Sequence, residues 1–216
     1  INFKNVNFSF LEILTHIRLS EKVFIMKRLL LILILTFSFQ TLTKADDIRD
    51  LEIEGMSVGD SALDYFSIND IIKNSQSYYK NKKFTPVQND KYDFFKTYDA
   101  VDYHFKTGDN KYIIQSISGI LFYDKNIEQC YKKMNSIIAD IDKNFDYIKK
   151  YPKAINKHRG DKTGKSIFTE VTYKLKDGYI VVICYDYSIE DGGQDHLALS
   201  IDTNELNKFL VSDVYK

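Results

Sequence analysis

Ile53-Glu54-Gly55-Met56-Ser57-Val58-Gly59-Asp60-Ser61 admits two readings, and they lead to different folds. Gly55-x-Ser57-x-Gly59 is the nucleophile-elbow pattern, which needs a buried strand before the serine, a helix after it and a parallel sheet beneath. The other reading makes Ser57 a helix N-cap and Asp60 its partner in a turn resembling a capping box. Upstream, Asp50, Glu52 and Glu54 alternate with Leu51 and Ile53, so the preceding strand is half-exposed. The cap reading is therefore preferred. It predicts a strand over 47–54, a helix over 58–66 begun by Ser57 and Asp60, and a second helix over 68–79 begun by Ser67-x-x-Asp70.

Toward the N-terminus, Met26-Lys27-Arg28 precedes an apolar run over 29–39, followed by Thr43 and Ala45 at positions −3 and −1 of a cut. This is the layout of a secretory signal peptide, and the run falls short of the roughly 20 residues that span a bilayer. Residues 1–25 read as an upstream, non-native extension and Met26 as the start. If genuine, that extension would make the run a signal anchor. No Cys follows the cut, so no lipid anchor is expected, nor a stable membrane span after cleavage. The expected mature protein, residues 46–216, has 171 residues and suits one domain with a sizeable core. It is expected in the periplasm or secreted. The whole chain has zero net charge; residues 1–45 carry six Lys/Arg and two Asp/Glu, leaving 24 basic and 28 acidic, or −4. Nothing in that balance points to nucleic acid. Cys130 and Cys184 are the only cysteines, and in an oxidising compartment they read as one disulfide rather than two free thiols.

Toward the C-terminus, a short strand is possible near Phe84. Val101, Tyr103 and Phe105 alternate with polar residues, and Thr107-Gly108-Asp109-Asn110 turns the chain into a second run over 111–123, a β-hairpin. Cys130, Met134, Ile137, Ile138, Ile141 and Phe145 fall at helical spacing, predicting a long helix over 126–150 that Pro152 ends. A basic loop follows over 151–165. A second hairpin runs from Val171 through Asp177-Gly178, read as a two-residue turn, to a central strand over 179–187. One more strand over 197–201 and a helix from Thr203 complete the chain. The predicted fold is α+β: a single antiparallel sheet of five to seven strands, with the long helix and shorter terminal helices on one face. Val101, Tyr103, Lys106 and Gly108 recur at an offset of 70 as Val171, Tyr173, Lys176 and Gly178. That pattern fits either a tandem helix-hairpin unit or shared composition.

The run Asp46-Asp47-Ile48-Arg49-Asp50-Leu51-Glu52-Ile53-Glu54-Gly55-Met56-Ser57-Val58-Gly59-Asp60-Ser61 resembles the mature start of a family of small exported proteins from AT-rich bacteria with no assigned activity. The resemblance implies export and a fold of this kind. Gly55-Met56-Ser57 before a short helix also resembles the opening of BamE-type assembly lipoproteins and of β-lactamase-inhibitor-protein repeats. Those are helix-plus-sheet binding modules, and the BamE-type lipid-anchor Cys has no counterpart here.

The motifs that offer chemistry lack their context. Gly59-Asp60-Ser61 resembles the first block of GDSL-type hydrolases, whose closing Asp-x-x-His fails at His196 because position 193 is Gly. Ser57, Ser61 and His196 are the candidates for a serine hydrolase; of the downstream histidines that a triad could use, His104 falls on a strand face, His158 in a basic loop and His196 at a loop end. Gly160-x-x-x-Gly164-Lys165-Ser166 is one residue short of a P-loop. Around it, His158, Arg159, Lys162 and Lys165, with Lys149, Lys150, Lys153 and Lys157 nearby, could bind a small anion. Asp140-x-Asp142-x-Asn144 opens like a calcium loop but has Phe145 where Gly is required. No metal and no cofactor are expected. The function expected is that of an exported, non-enzymatic module binding an unknown periplasmic protein or small ligand. A serine hydrolase and a small-anion binder are the alternatives.

Overall fold

A computed structural model describes residues 47–90 and 92–214, all within one unit; the expected signal peptide over 26–45 and the expected upstream extension over 1–25 lie outside the described residues. The strands are β1 (Glu52–Ile53), β2 (Met56–Ser57), β3 (Phe84–Asp90), β4 (Ala100–Lys106), β5 (Ile114–Phe122), β6 (Lys149–Lys150), β7 (Ala154–Lys157), β8 (Ile167–Lys174), β9 (Gly178–Asp186) and β10 (His196–Thr203). The α-helices are α1 (Ile68–Asn74), α2 (Ile127–Asn144) and α3 (Asn204–Ser212). β1 and β2 form a small hairpin, and the other eight strands form one antiparallel sheet in the order β3-β4-β5-β10-β9-β8-β6, with β7 also on β8. The class is α+β as expected, and the sheet is larger than five to seven strands.

The two added strands come from the stretch expected to be helix end and basic loop. α2 stops at Asn144, not at 150, and Phe145 is already extended. The free edge of β8 then captures the chain: Ile148 N donates to Lys174 O and Tyr151 N to Thr172 O, both at 2.8 Å. A ladder of unpaired backbone groups outcompetes one more helical turn. Pro152 separates β6 from β7 rather than ending a helix, because proline has no N–H to give the ladder.

The hairpin turn before β9 is also shifted. Leu175 N donates to Gly178 O at 2.9 Å, so Lys176 and Asp177 are the turn residues. Gly178 serves packing instead: a Cβ there would stand 2.2 Å from Asp202 O on β10.

Each strand buries alternate residues on two faces. Face one carries Val101 and Tyr103, Ile117, the alternate residues Leu197, Leu199 and Ile201, the alternate residues Ile180, Val182 and Cys184, and Val171 and Tyr173. α2 packs here through Cys130, Met134 and Ile141, and Cys130 and Cys184 form the expected disulfide. α1 adds Ile71 to the same core. The offset of 70 relates Val101 and Tyr103 of β4 to Val171 and Tyr173 of β8 on this face, and each of these two strands pairs with the strand before it and the strand after it. The terminal helices do not share one face. α3, capped by Thr203, puts Leu206 and Phe209 with Phe84 on face two in a second cluster.

Candidate functional site

The Ser57 corner is a hairpin, not a helix start. Glu54 and Gly55 both have positive φ, 52° and 80°, the backbone that a tight two-residue β-turn demands. Glu54 Oε1 and Oε2 accept the amides of Lys96, Thr97 and Tyr98 at 2.6–2.8 Å and tie a distant loop to this turn. Burial opposes its charge, yet those three amides hold its carboxyl below the ordinary range. Ser57 N donates to Asp60 Oδ2 at 2.9 Å, one half of a capping box, but Ser57 Oγ donates to Leu51 O at 3.0 Å. The cap proper is Ser61, whose Oγ accepts from Leu63 N at the start of a single 3-10 turn, Ala62–Asp64, where a helix over 58–66 was expected. Ser61 Oγ also donates to Lys111 O at 2.8 Å. Both serine hydroxyls thus serve backbone carbonyls, and among the described residues neither is hydrogen-bonded to an imidazole.

The basic loop is closed by its own aspartate. Asp161 accepts the amides of Thr163, Lys165 and Ser166 at 2.6–3.0 Å and the Thr163 hydroxyl at 2.8 Å. These donors overcome its burial and hold the carboxyl well below the ordinary range. The nest that would cradle an anion is therefore already filled by a carboxylate. The four candidate side chains do not converge on one point. Lys165 is ion-paired with Glu190, Arg159 Nη1 donates to Val211 O at 3.3 Å, Lys162 is exposed, and His158 lies against Tyr185 and Tyr187. Asp142, on α2, accepts from Lys150 Nζ and Tyr173 Oη at 2.6 and 3.1 Å. Among the described residues no cluster of three or more His, Cys, Asp or Glu could hold a metal ion. An open depression of about 240 Å3 lies beside Ile48, Val58 and Ile114, with Arg49, Gln115, Asp177 and Thr203 also in its wall.

Face two carries the unusual chemistry. Registered across four neighbouring strands, Gln88, Asp102, Ser118 and Ser200 form one row, and His104, Ser116 and Asp202 form the next. Ser118 Oγ and Ser200 Oγ are 2.7 Å apart, and Ser116 Oγ donates to Asp202 Oδ1 at 2.7 Å. Ala100, Ile120, Ala198 and Val181 complete a buried floor. Asp102 is partly exposed, but its Oδ1 is buried with no hydrogen-bond partner among the described residues. Burial, reinforced by the charge of Asp90, pushes its carboxyl up to about 7. Burial likewise raises Asp202 to about 6, against the pull of Ser116 and Asn207, and lowers His104 to about 4.

Aromatic rings gather at the far end of the same face. His196 stacks on Tyr185 at 4.5 Å, with Phe168 at 5.7 Å and His158 at 5.9 Å from that ring. His196 Nδ1 lies 2.9 Å from Gln194 O. A carbonyl only accepts, so this contact places the proton on Nδ1 and leaves Nε2 as the acceptor. Burial lowers the His196 pKa and raises that of the Tyr185 phenol, which also feels the charges of Glu170 and Asp102. Toward the other end, Tyr79 Oη meets His104 Nε2 at 3.0 Å, beneath Phe209 of α3.

Sequence reasoning singled out His158 and His196 but not Tyr185 beside them, nor Asp102, Ser118 and Ser200 elsewhere on the same face. A signal was present in residue type. Strand positions that face water are usually filled by long charged or β-branched side chains; the short Ser, Ala and Asp side chains on three adjacent strands here are buried or nearly so. The chain matches no family model, no curated protein and no solved structure.

Proposed function

We propose that the protein is an exported, non-catalytic binding protein whose working surface is the recess on face two, between α3 and the Tyr185–His196 cluster. The observation that carries this is the buried, unpartnered Oδ1 of Asp102 above a floor of small polar side chains. An unsatisfied buried carboxylate oxygen is costly in an isolated fold, and a bound partner would relieve that cost. A polar recess walled by aromatic rings is a common form of ligand site. The expected leader over 26–45 and the disulfide support export. The helix-plus-sheet build agrees with the resemblance to binding modules. The serine-hydrolase and anion-loop alternatives draw no support from the contacts of Ser57, Ser61 and the Asp161 loop.

The test is capture from the exported fraction with the wild type and with Tyr185→Ala, followed by mass spectrometry of protein and small-molecule eluates. The expected result is a bound species lost with Tyr185→Ala and kept with Ile72→Ala, a change on the exposed side of α1. A species captured equally by both variants would place the working surface elsewhere.

A further inference from the structure

We infer that the outer edge of β7 takes up an extended, acidic segment of another polypeptide as an added strand. β7 pairs with β8 alone. His158 N donates to Ser166 O at 2.9 Å, in the same register that sets Asn156 opposite Phe168 and Ala154 opposite Glu170. Antiparallel ladders alternate, so His158, Asn156 and Ala154 turn their backbone groups toward β8, while Ile155 and Lys157 turn theirs away. Among the described residues no hydrogen bond reaches the backbone N or O of Ile155 or Lys157. Donors and acceptors thus alternate along an open edge, which is what main-chain capture of an extended peptide requires.

The side chains along this edge select the partner. Ile155 is 68% exposed, and Ile148, where the same edge begins, is 70% exposed. Lys153 and Lys157 stand two positions to either side of Ile155, both exposed. Neither is ion-paired among the described residues, and Lys153 Nζ meets only the neutral Asn135 Oδ1, at 3.2 Å. The acids of this region are matched already: Asp142 by Lys150, Glu190 by Lys165, Asp161 by its loop amides, and Glu170 by the Asn156 amide. Lysines on an edge strand discourage pairing with a strand of like charge. Two copies joined antiparallel at β7, with Ile155 facing Ile155, would set Lys153 of each against Lys157 of the other, an unfavourable cross-strand pair. A strand with acids at those two places and an apolar residue between them reverses the sign and covers Ile155.

The experiment adds the end-blocked peptide Thr-Glu-Thr-Val-Thr-Glu-Thr to the full chain, and separately its counterpart with lysine in place of glutamate. The Ile155 and Lys157 amides are followed by NMR titration and hydrogen exchange. The expected result with the glutamate peptide is a saturable shift of both amides, exchange slowed about tenfold or more at saturation, and weaker binding at high salt. The lysine peptide is expected not to bind. Ile155→Pro deletes an N–H that the sheet does not use, so the fold is kept and binding of the glutamate peptide falls about tenfold or more. Lys153→Glu combined with Lys157→Glu should transfer the preference to the lysine peptide, a result that does not depend on the proline variant. Equal binding of the two peptides, unchanged binding in Ile155→Pro, or no shift with the glutamate peptide would overturn the inference. Protection of both amides that grows with protein concentration alone would overturn it in favour of a second copy.

Discussion

Cys130 of α2 is bonded to Cys184 of β9 across 54 residues of sequence, with their Cα atoms 6.0 Å apart. Both residues are fully buried in the main core, so the bond fastens the longest helix to the centre of the sheet. Closing a loop of that length restricts the unfolded chain by about 4 kcal/mol in the chain-entropy account. Replacing both cysteines with alanine is predicted to lower unfolding free energy by about that amount in urea titrations. A loss within a few tenths of a kcal/mol would mean that packing alone positions α2.

Glu54 joins the first hairpin to the loop over 96–98 through three charge-assisted hydrogen bonds. Glu54→Gln keeps the shape but turns one acceptor into a donor facing an amide, with an expected cost of about 2 kcal/mol. The exposed Glu52→Gln is expected to fall within about 0.5 kcal/mol of the wild type. Equal unfolding midpoints for the two variants would remove the role given to Glu54.

Asp161 fills the amide nest of its own loop. Phosphate is therefore predicted not to raise the melting temperature of the wild type. Asp161→Ala should destabilise the fold by about 2 kcal/mol and make stability depend on phosphate, because the freed amides then face solvent. Phosphate stabilisation of the wild type would restore the anion-loop reading.

Asp102 makes a signed prediction for pH. Its carboxyl is raised from 3.8 to about 7 in the fold, so between those values the folded state holds a proton that the unfolded chain releases. Its contribution to stability falls as pH climbs through that window and levels off above it. His104, lowered from 6.5 to about 4, acts in the opposite sense, gaining stability as pH rises from about 4 to 6.5. Comparing Asp102→Asn with the wild type isolates the first effect. The variant should gain on the order of 2 kcal/mol relative to the wild type between pH 5 and pH 8, a value discounted for the partial exposure of Asp102. Urea unfolding at both pH values checks this, and an equal difference at the two would contradict it.

The parts of the fold legible in sequence were those with one dominant periodicity. Val101, Tyr103 and Phe105 announced β4, the Cys130–Met134–Ile141 stripe announced α2, and two cysteines on buried faces announced their bond. The failures are cases of local rules overruled by partners distant in sequence. Ser57-x-x-Asp60 carries capping residues, but the positive φ of Glu54 folds the chain back so that Leu51 O takes the Ser57 hydroxyl. Lys149 and Lys150 continue a helical pattern, yet the open edge of β8 claims them. The recess was missed because alternation marks Asp102, Ser118 and Ser200 only as not core. That they line up in one row is a matter of strand order, which the sequence does not display.

The working surface can be tested most directly by NMR of protein labelled at tyrosine and histidine rings, with and without concentrated exported-fraction extract. This account predicts shifts at Tyr185 and His196 on face two, and none at Tyr65 or Tyr147, which belong to the β1–β2 corner and to the α2 side. Shifts confined to Tyr65 or Tyr147 would contradict it.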